Sequence, residues 1–302
     1  MPKIAYIEHK FTPNSLQVIE FANKIIESYQ AQGFVLTLRQ LYYRFVASGL
    51  LPNNQREYSR LGGIINKARL AGHVDWEAIE DRGRSLNHIS RWSDPTELIY
   101  SATDSYSIDL WEGQEYRVEV WVEKQALEAI IEQAANELFC ESFACKGYPS
   151  QSSLWRAHKR LKFYDQNGQT PVIIYLGDHD PSGIDIDRDI SSRMQTFGLD
   201  LHVQRIALNM DQILQYKPPP NPTKHTDSRS KGYIQQFGNE SWELDALEPN
   251  VLHDLIQNTI TEYLDGKLYS QRVDELRKQK EQLKKAAKNW KKVANFVENE
   301  IE

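Results

Sequence analysis

The run PVIIYLGDHDPSG at 171–183 constrains this chain more than any other. Its apolar stretch from Pro171 to Leu176 has no polar alternation, so it reads as a strand buried on both faces, the habit of parallel sheets. An acidic turn closes it. RVEVWVEK at 117–124, ESFACKGYPS at 141–150 and LHVQRIAL at 201–208 are further strand candidates. Between them QALEAIIEQAANEL (125–138), SSLWRAHKRLKFYDQ (152–166) and IDIDRDISSRMQTFG (184–198) carry helical periodicity. Strands alternating with helices predict an α/β unit with a mostly parallel, Rossmann-like sheet.

The first third of the chain has a different pattern. A helix is expected from about Asn14 to Gln32, capped by Asn14 or Ser15, with Leu16, Ile19, Ala22 and Ile26 on one face and a stop near Gly33. Thr37 caps a second helix, LRQLYYRFVASG, that ends at Gly49. The Pro52-Asn53-Asn54 turn leads into a third, REYSRLGGIINKARLAG. With the following HVDWEAIEDRGR segment, three short basic helices have the size of a winged-helix module; a helical packing unit is the plainer alternative.

Beyond the sheet, KPPPNPTKHTDSRSKGY at 217–233 cannot continue a helix or a central strand and is expected as an ordered loop or flap. A loop and helix at WELDALEPNVLHDLIQNTITEYL and one long terminal helix complete the chain. The expected division is 1–95, 96–215 and 216–302.

With 302 residues and 40% hydrophobic content, the chain can bury a substantial core. No apolar run reaches the roughly 18 to 20 residues of a membrane helix, and MPKIAYIEHK lacks a signal-peptide core, so the expected location is cytoplasmic, near the nucleoid. Cys140 and Cys145 form no CxxC pair and read as ordinary buried thiols. The net charge of -6 is unevenly spread. From Arg39 to Arg91 nine Lys/Arg face five Asp/Glu, and from Arg272 to Lys292 nine face three, while the remainder stands at -16. Basic ends around an acidic middle suit a protein that grips phosphates near a cation site; a solvated helix face explains the basic tail equally well.

Glu123 ends one expected strand and Asp178 and Asp180 end another, and open α/β sheets place their ligands in the crevice at the carboxyl ends of strands. Three hard oxygen donors there favour Mg2+, which keeps several waters and needs only one or two carboxylates. An isolated Asp-x-Asp at a strand end also commonly caps the next helix. Lys124 and Lys146, at strand ends beside the cleft, are candidate phosphate contacts, as are the helical unit's Arg44, Arg60, Lys67 and Arg69. Glu243 and Asp245 would join the acids only if their loop folds over the cleft; otherwise Trp242 and Leu244 anchor it and the carboxylates stay in water. His179 is expected to point away from its flanking aspartates.

VEVWVEK, then ACKGYPS, then YLGDHDPSG closely resembles the Toprim domain shared by type II topoisomerases, topoisomerase VI and bacterial primases. LRQLYYRF further resembles the catalytic winged-helix segment of the topoisomerase VI A subunit and its meiotic double-strand-break relative. The likeness spans roughly residues 35 to 215. It implies an N-terminal winged-helix-like domain, a Toprim domain and a DNA-cleaving, type IIB-like topoisomerase activity. It implies Tyr43 as nucleophile with Arg39 one helical turn before it, a 5'-phosphotyrosine link to double-stranded DNA, and Mg2+ on Glu123, Asp178 and Asp180. It also implies a homodimer in which the tyrosine of one subunit meets the metal of the other, with a separate ATPase subunit as partner, since the chain has no GxxxxGK[ST] loop. Tyr43 is then the tyrosine turned to the substrate groove, with Tyr42 packed inward. A Toprim metal nuclease without a covalent intermediate and a non-catalytic DNA-binding relative are the alternatives.

Overall fold

The computed structural model describes residues 3–79 and 89–300, with side chains up to Val297. Three helices come first: α1 (Pro13–Gln30), α2 (Leu38–Ala47) and α3 (Gln55–Leu70). Thr12 caps α1 by accepting from the Ser15 amide, not Asn14 or Ser15 as expected. Pro13 decides the boundary, since proline lacks an N–H and suits the first helical position. Thr37 caps α2 with a reciprocal Gln40 contact, and Asn54 caps α3. HVDWEAIEDRGR is described only to Ile79; its remainder lies outside the described residues.

The sheet is four-stranded and parallel: β1 (Tyr116–Val122), β2 (Glu141–Ala144), β3 (Thr170–Leu176) and β4 (His202–Ala207), in the order β2-β1-β3-β4. Between them run α5 (Glu128–Asn136), α6 (Gln151–Gln166) and α7 (Gly183–Thr196). Both faces are covered, as the unalternating apolar strands require. On one face Val118, Val120, Val172 and Ile174 pack in a cluster continuous with Leu41, Phe45 and Leu61 of the N-terminal helices. On the other, Trp121, Ile173 and Tyr175 pack against Leu154, Leu161, Ile186 and Ile190 of α6 and α7. The chain is thus mixed α/β, as expected.

Elsewhere the structure departs from the expected elements. A helix not expected, α4 (Pro95–Ser105), is capped by Asp94. After α8 (Met210–Tyr216), the Pro-rich stretch is irregular only in part: β5 (Asn221–Pro222) pairs with β6 (Glu240–Ser241), and α9 (Ser230–Phe237) begins inside it. The last of its prolines is Pro222, so nothing prevents a helix from Ser230. Then follow α10 (Pro249–Glu262) and, where one long helix was expected, α11 (Gly266–Lys288) and α12 (Trp290–Glu300), divided at Asn289. Within α11, Leu276 is buried and the helix packs along α4. Both cysteines are free and buried. No helix among the described residues is long and apolar enough to cross a membrane.

Candidate functional site

Parallel pairing of β1 and β3 brings Glu123 and Asp178 to one edge, because Val122 pairs with Leu176 and each acid follows within two residues. The Asp178 amide donates to Glu123 Oε2 at 2.8 Å. Asp180 Oδ1 accepts from the Gly183 amide at 2.6 Å and from the Ser182 amide and hydroxyl at 3.0 and 3.1 Å, so it also opens α7. The tight turn requires Gly183. A Cβ there would stand 2.3 Å from the Asp178 carbonyl oxygen and 3.0 Å from Glu123 Oε2. Gly183→Ala is expected to destabilise the fold by about 1–3 kcal/mol and to misplace Glu123. A thermal melt and an activity assay unchanged from wild type would rule this out.

Arg205 of β4 clamps the same turn. It donates to the carbonyls of Gly177, Asp178, Gly183 and Leu208 at 2.6–3.2 Å. It was not among the expected site residues; a single arginine near the end of an apolar strand was its only signal.

Lys124, expected as a phosphate contact, is instead held within a cluster of acids. Its ammonium lies 3.0 Å from Asp178 Oδ2, 2.7 Å from Glu243 Oε2 and 3.1 Å from Asp245 Oδ1. The loop carrying Glu243 and Asp245 therefore does fold over the cleft. Its anchors are Trp242, bridged to His179, and Leu244, whose amide donates to Asp178 Oδ1 at 2.8 Å. The plainer expectation was right about Trp242 and Leu244, which are buried, but not about the carboxylates: Asp245 is 1% exposed. Hydrophobic anchoring on both sides carries the charges inward, and Lys124 and Arg39 compensate them.

Burial works to lower the Lys124 ammonium, but Asp245, Asp178 and Glu243 hold it well above its ordinary value. Burial also raises the Asp178 carboxyl, to about 8, against the pull of Lys124. Glu243, nearer the surface, goes the other way: burial raises it, and Lys124 followed by Arg39 overrides this to bring it down to about 2.

Arg39 and Tyr43 reach this network from α2. The Arg39 guanidinium stands 3.4 Å from Glu243 and 3.6 Å from Asp245. Tyr43 and Glu243, whose side chains are hydrogen-bonded, line a cavity of about 180 Å³ together with Arg39, Tyr42, Asn53, Asn54, Tyr58 and Asn221. Both tyrosines are buried, Tyr42 at 4% and Tyr43 at 2% exposed. Tyr42 has a structural role: its hydroxyl accepts from the Asn54 amide at 2.7 Å and donates to the Pro52 carbonyl at 2.9 Å. Burial, then Asp245 and Glu243, pushes the Tyr43 phenol upward, and Arg39 pulls it back.

Of the other expected DNA contacts, Lys67 and Lys146 are exposed. Arg60 pairs with Glu57 at 2.6 Å. Arg44 is turned inward, donating to the Ala246 carbonyl and pairing with Glu248, and Arg69 lies over the Trp76 ring at 4.9 Å. Arg44 and Arg69 follow the apolar side of their helices, where a long side chain satisfies buried carbonyls.

His179 points away from the two aspartates, its Nδ1 2.7 Å from the Tyr233 hydroxyl. Burial, helped by Arg205, lowers it to about 4. Because the unfolded histidine binds its proton near pH 6.5, His179 is expected to contribute a loss of about 3 kcal/mol as pH drops from 6.5 to 4, opposed over the same range by the raised Asp178 carboxyl and therefore read as the difference between wild type and His179→Phe. Urea midpoints across that range test this, with a shallower slope expected for His179→Phe.

Among the described residues, no group of three or more His, Cys, Asp or Glu side chains is placed to share one metal ion. Asp178 has both oxygens engaged, by Leu244 and Lys124. The oxygen edges of Glu123 and Asp180 that face away from these backbone contacts suit a hard cation that keeps most of its waters. An all-oxygen donor set fits Mg2+ on that basis.

No family model matches the chain, and no curated protein matches it.

Proposed function

We propose that this chain is a topoisomerase VI A-like DNA-cleaving protein that uses Tyr43 for a Mg2+-dependent transesterification. The observation that supports it is the continuity of the polar cleft: Arg39 and Tyr43 on α2 meet Glu243 and Asp245, which meet Lys124 and Asp178, which adjoin Glu123. Tyr43 stands 80 residues from Glu123 and 135 from Asp178 in sequence, and this chain of polar contacts links them.

In this reading the Tyr43 O–H bond breaks, its proton leaves through the cavity, and the phenolate oxygen attacks a backbone phosphorus. The P–O3' bond then breaks, and the 3'-oxygen takes a proton from water, leaving a 5'-phosphotyrosine. Arg39 favours the phenolate electrostatically. Glu123 and Asp180 would hold Mg2+, with Asp178 behind them; bound there, the ion supplies charge stabilisation at the reacting phosphate. Double-stranded DNA, a homodimer and a separate ATPase subunit are the partners of this reading.

Burial of Tyr43, which keeps the phenol protonated, favours a second reading in which the acids hydrolyse DNA without a covalent link. Supercoiled plasmid incubated with Mg2+ and stopped in denaturant separates the two. Protein-linked breaks that vanish in Glu123→Gln are expected from the first; free nicks with no linked protein overturn it in favour of a nuclease.

A further inference from the structure

We infer that the outer face of α6 is a binding surface for an unpaired nucleic-acid strand. Trp155, Lys159 and Phe163 follow one another at four-residue spacing and so form one stripe along the helix, about 12 Å long. Trp155 is 50% exposed and Phe163 62% exposed, an unusual display of two large rings on a helix whose opposite side packs Leu154 and Leu161 into the sheet. Arg156 and Lys159 are exposed beside them. Neither forms an ion pair among the described residues, whereas Arg160 is held by Glu119 and Lys162 by Asp165.

Charge and rigidity select the occupant. In a chain of net charge -6, α6 carries Arg156, Lys159, Arg160 and Lys162 against the single acid Asp165. Trp155 is fixed from below: its ring stacks on His158 with centroids 5.3 Å apart and meets the edge of Phe197 at 5.5 Å. A held ring loses little freedom on binding, and alternation of aromatic and cation is what a single strand requires, its bases stacking and its phosphates paired. Duplex bases, already stacked, offer no free face to the rings. A second copy seated by a two-fold axis would oppose Arg156 and Lys159 to themselves. The face also begins at the correct edge: the turn between β2 and α6 adjoins the acids, the Gly147 amide donating to the Glu123 carbonyl at 3.0 Å.

The test is anisotropy of fluorescein-labelled (dT)20 with the full chain between 50 and 200 mM NaCl. Trp155→Ala and Phe163→Ala are each expected to weaken binding at least about fivefold. Arg156→Ala with Lys159→Ala is expected to flatten the log–log salt dependence by about 1.4. Phe163, more exposed than Trp155, keeps the test meaningful should Trp155→Ala disturb its neighbours. Unchanged affinity in both aromatic variants overturns the inference. So does loss of a dimer or of binding to phosphatidylserine vesicles in Trp155→Ala while (dT)20 affinity stays constant, which assigns the face to a second copy or to a membrane. Because Tyr43→Phe leaves this surface untouched, failure here is distinct from failure of the cleavage reading.

Discussion

Tyr43→Phe is expected to lower the yield of protein-linked DNA by at least about 10³-fold while leaving the fold intact. Phenylalanine keeps the ring that packs in the α2 core and removes only the oxygen that faces Glu243. The adjacent Tyr42 cannot substitute, because its hydroxyl is occupied by Pro52 and Asn54. The measurement is the fraction of labelled plasmid retained with protein after denaturation, at matched duplex affinity. Adduct formed by Tyr43→Phe at the wild-type rate would end the tyrosine mechanism. Free nicking that persists in Tyr43→Phe and disappears in Glu123→Gln would move the chemistry to the acids alone.

Lys124→Met is expected to be the most damaging single change to stability, at about 3–5 kcal/mol and a fall in Tm on the order of 10 °C. Methionine fills the volume of the lysine stem and deletes the charge that faces Asp178, Asp245 and Glu243. Glu243 and Asp245 retain Arg39, but Asp178 loses the cation it pairs with and must be protonated to remain deep in the protein. The sign of the pH dependence follows. A carboxyl whose folded value is raised above its unfolded one costs stability as pH climbs between the two, and Asp178 already stands near 8 with Lys124 present. The variant should therefore gain stability on acidification from pH 8 to 6.5, above the range in which His179 begins to act against it. Adding Asp178→Asn and Asp245→Asn to Lys124→Met should restore much of the loss. A Tm within about 2 °C of wild type, roughly the smallest shift a 1 kcal/mol change would give, would show that Lys124 is not their counter-ion.

The difference between these two residues shows how the site is built. Helical spacing in LRQLYYRF places Arg39 and Tyr43 on one face, since a helix brings residues four apart together, but Tyr43 as a nucleophile was implied only by the family resemblance. Glu123 and Asp178 were legible for an analogous reason: each ends an apolar strand, and parallel strands finish at the same edge. Lys124 follows Glu123 directly, yet its direction depended on a loop more than a hundred residues away. As a cation at a strand end it fits a phosphate contact equally well, until Glu243 and Asp245 arrive to claim it. Arg44 and Arg69 repeat the lesson, since basic composition describes a helix but not which of its cations turn inward.

Local chemistry thus determined the parts that depend on near neighbours: three capped N-terminal helices, a parallel sheet implied by apolar strands without alternation, buried thiols, and acids gathered at one sheet edge. These follow from periodicity, from caps and from the need of unalternating strands for cover on both faces. Tertiary structure alone decided the start of α9 within the Pro-rich stretch, the break at Asn289, the reach of Arg205 across the acidic turn and the closing of 242–246 over Lys124. Each of these rests on groups distant in sequence, and a buried charge takes its position from the partner that compensates it, which no local pattern records.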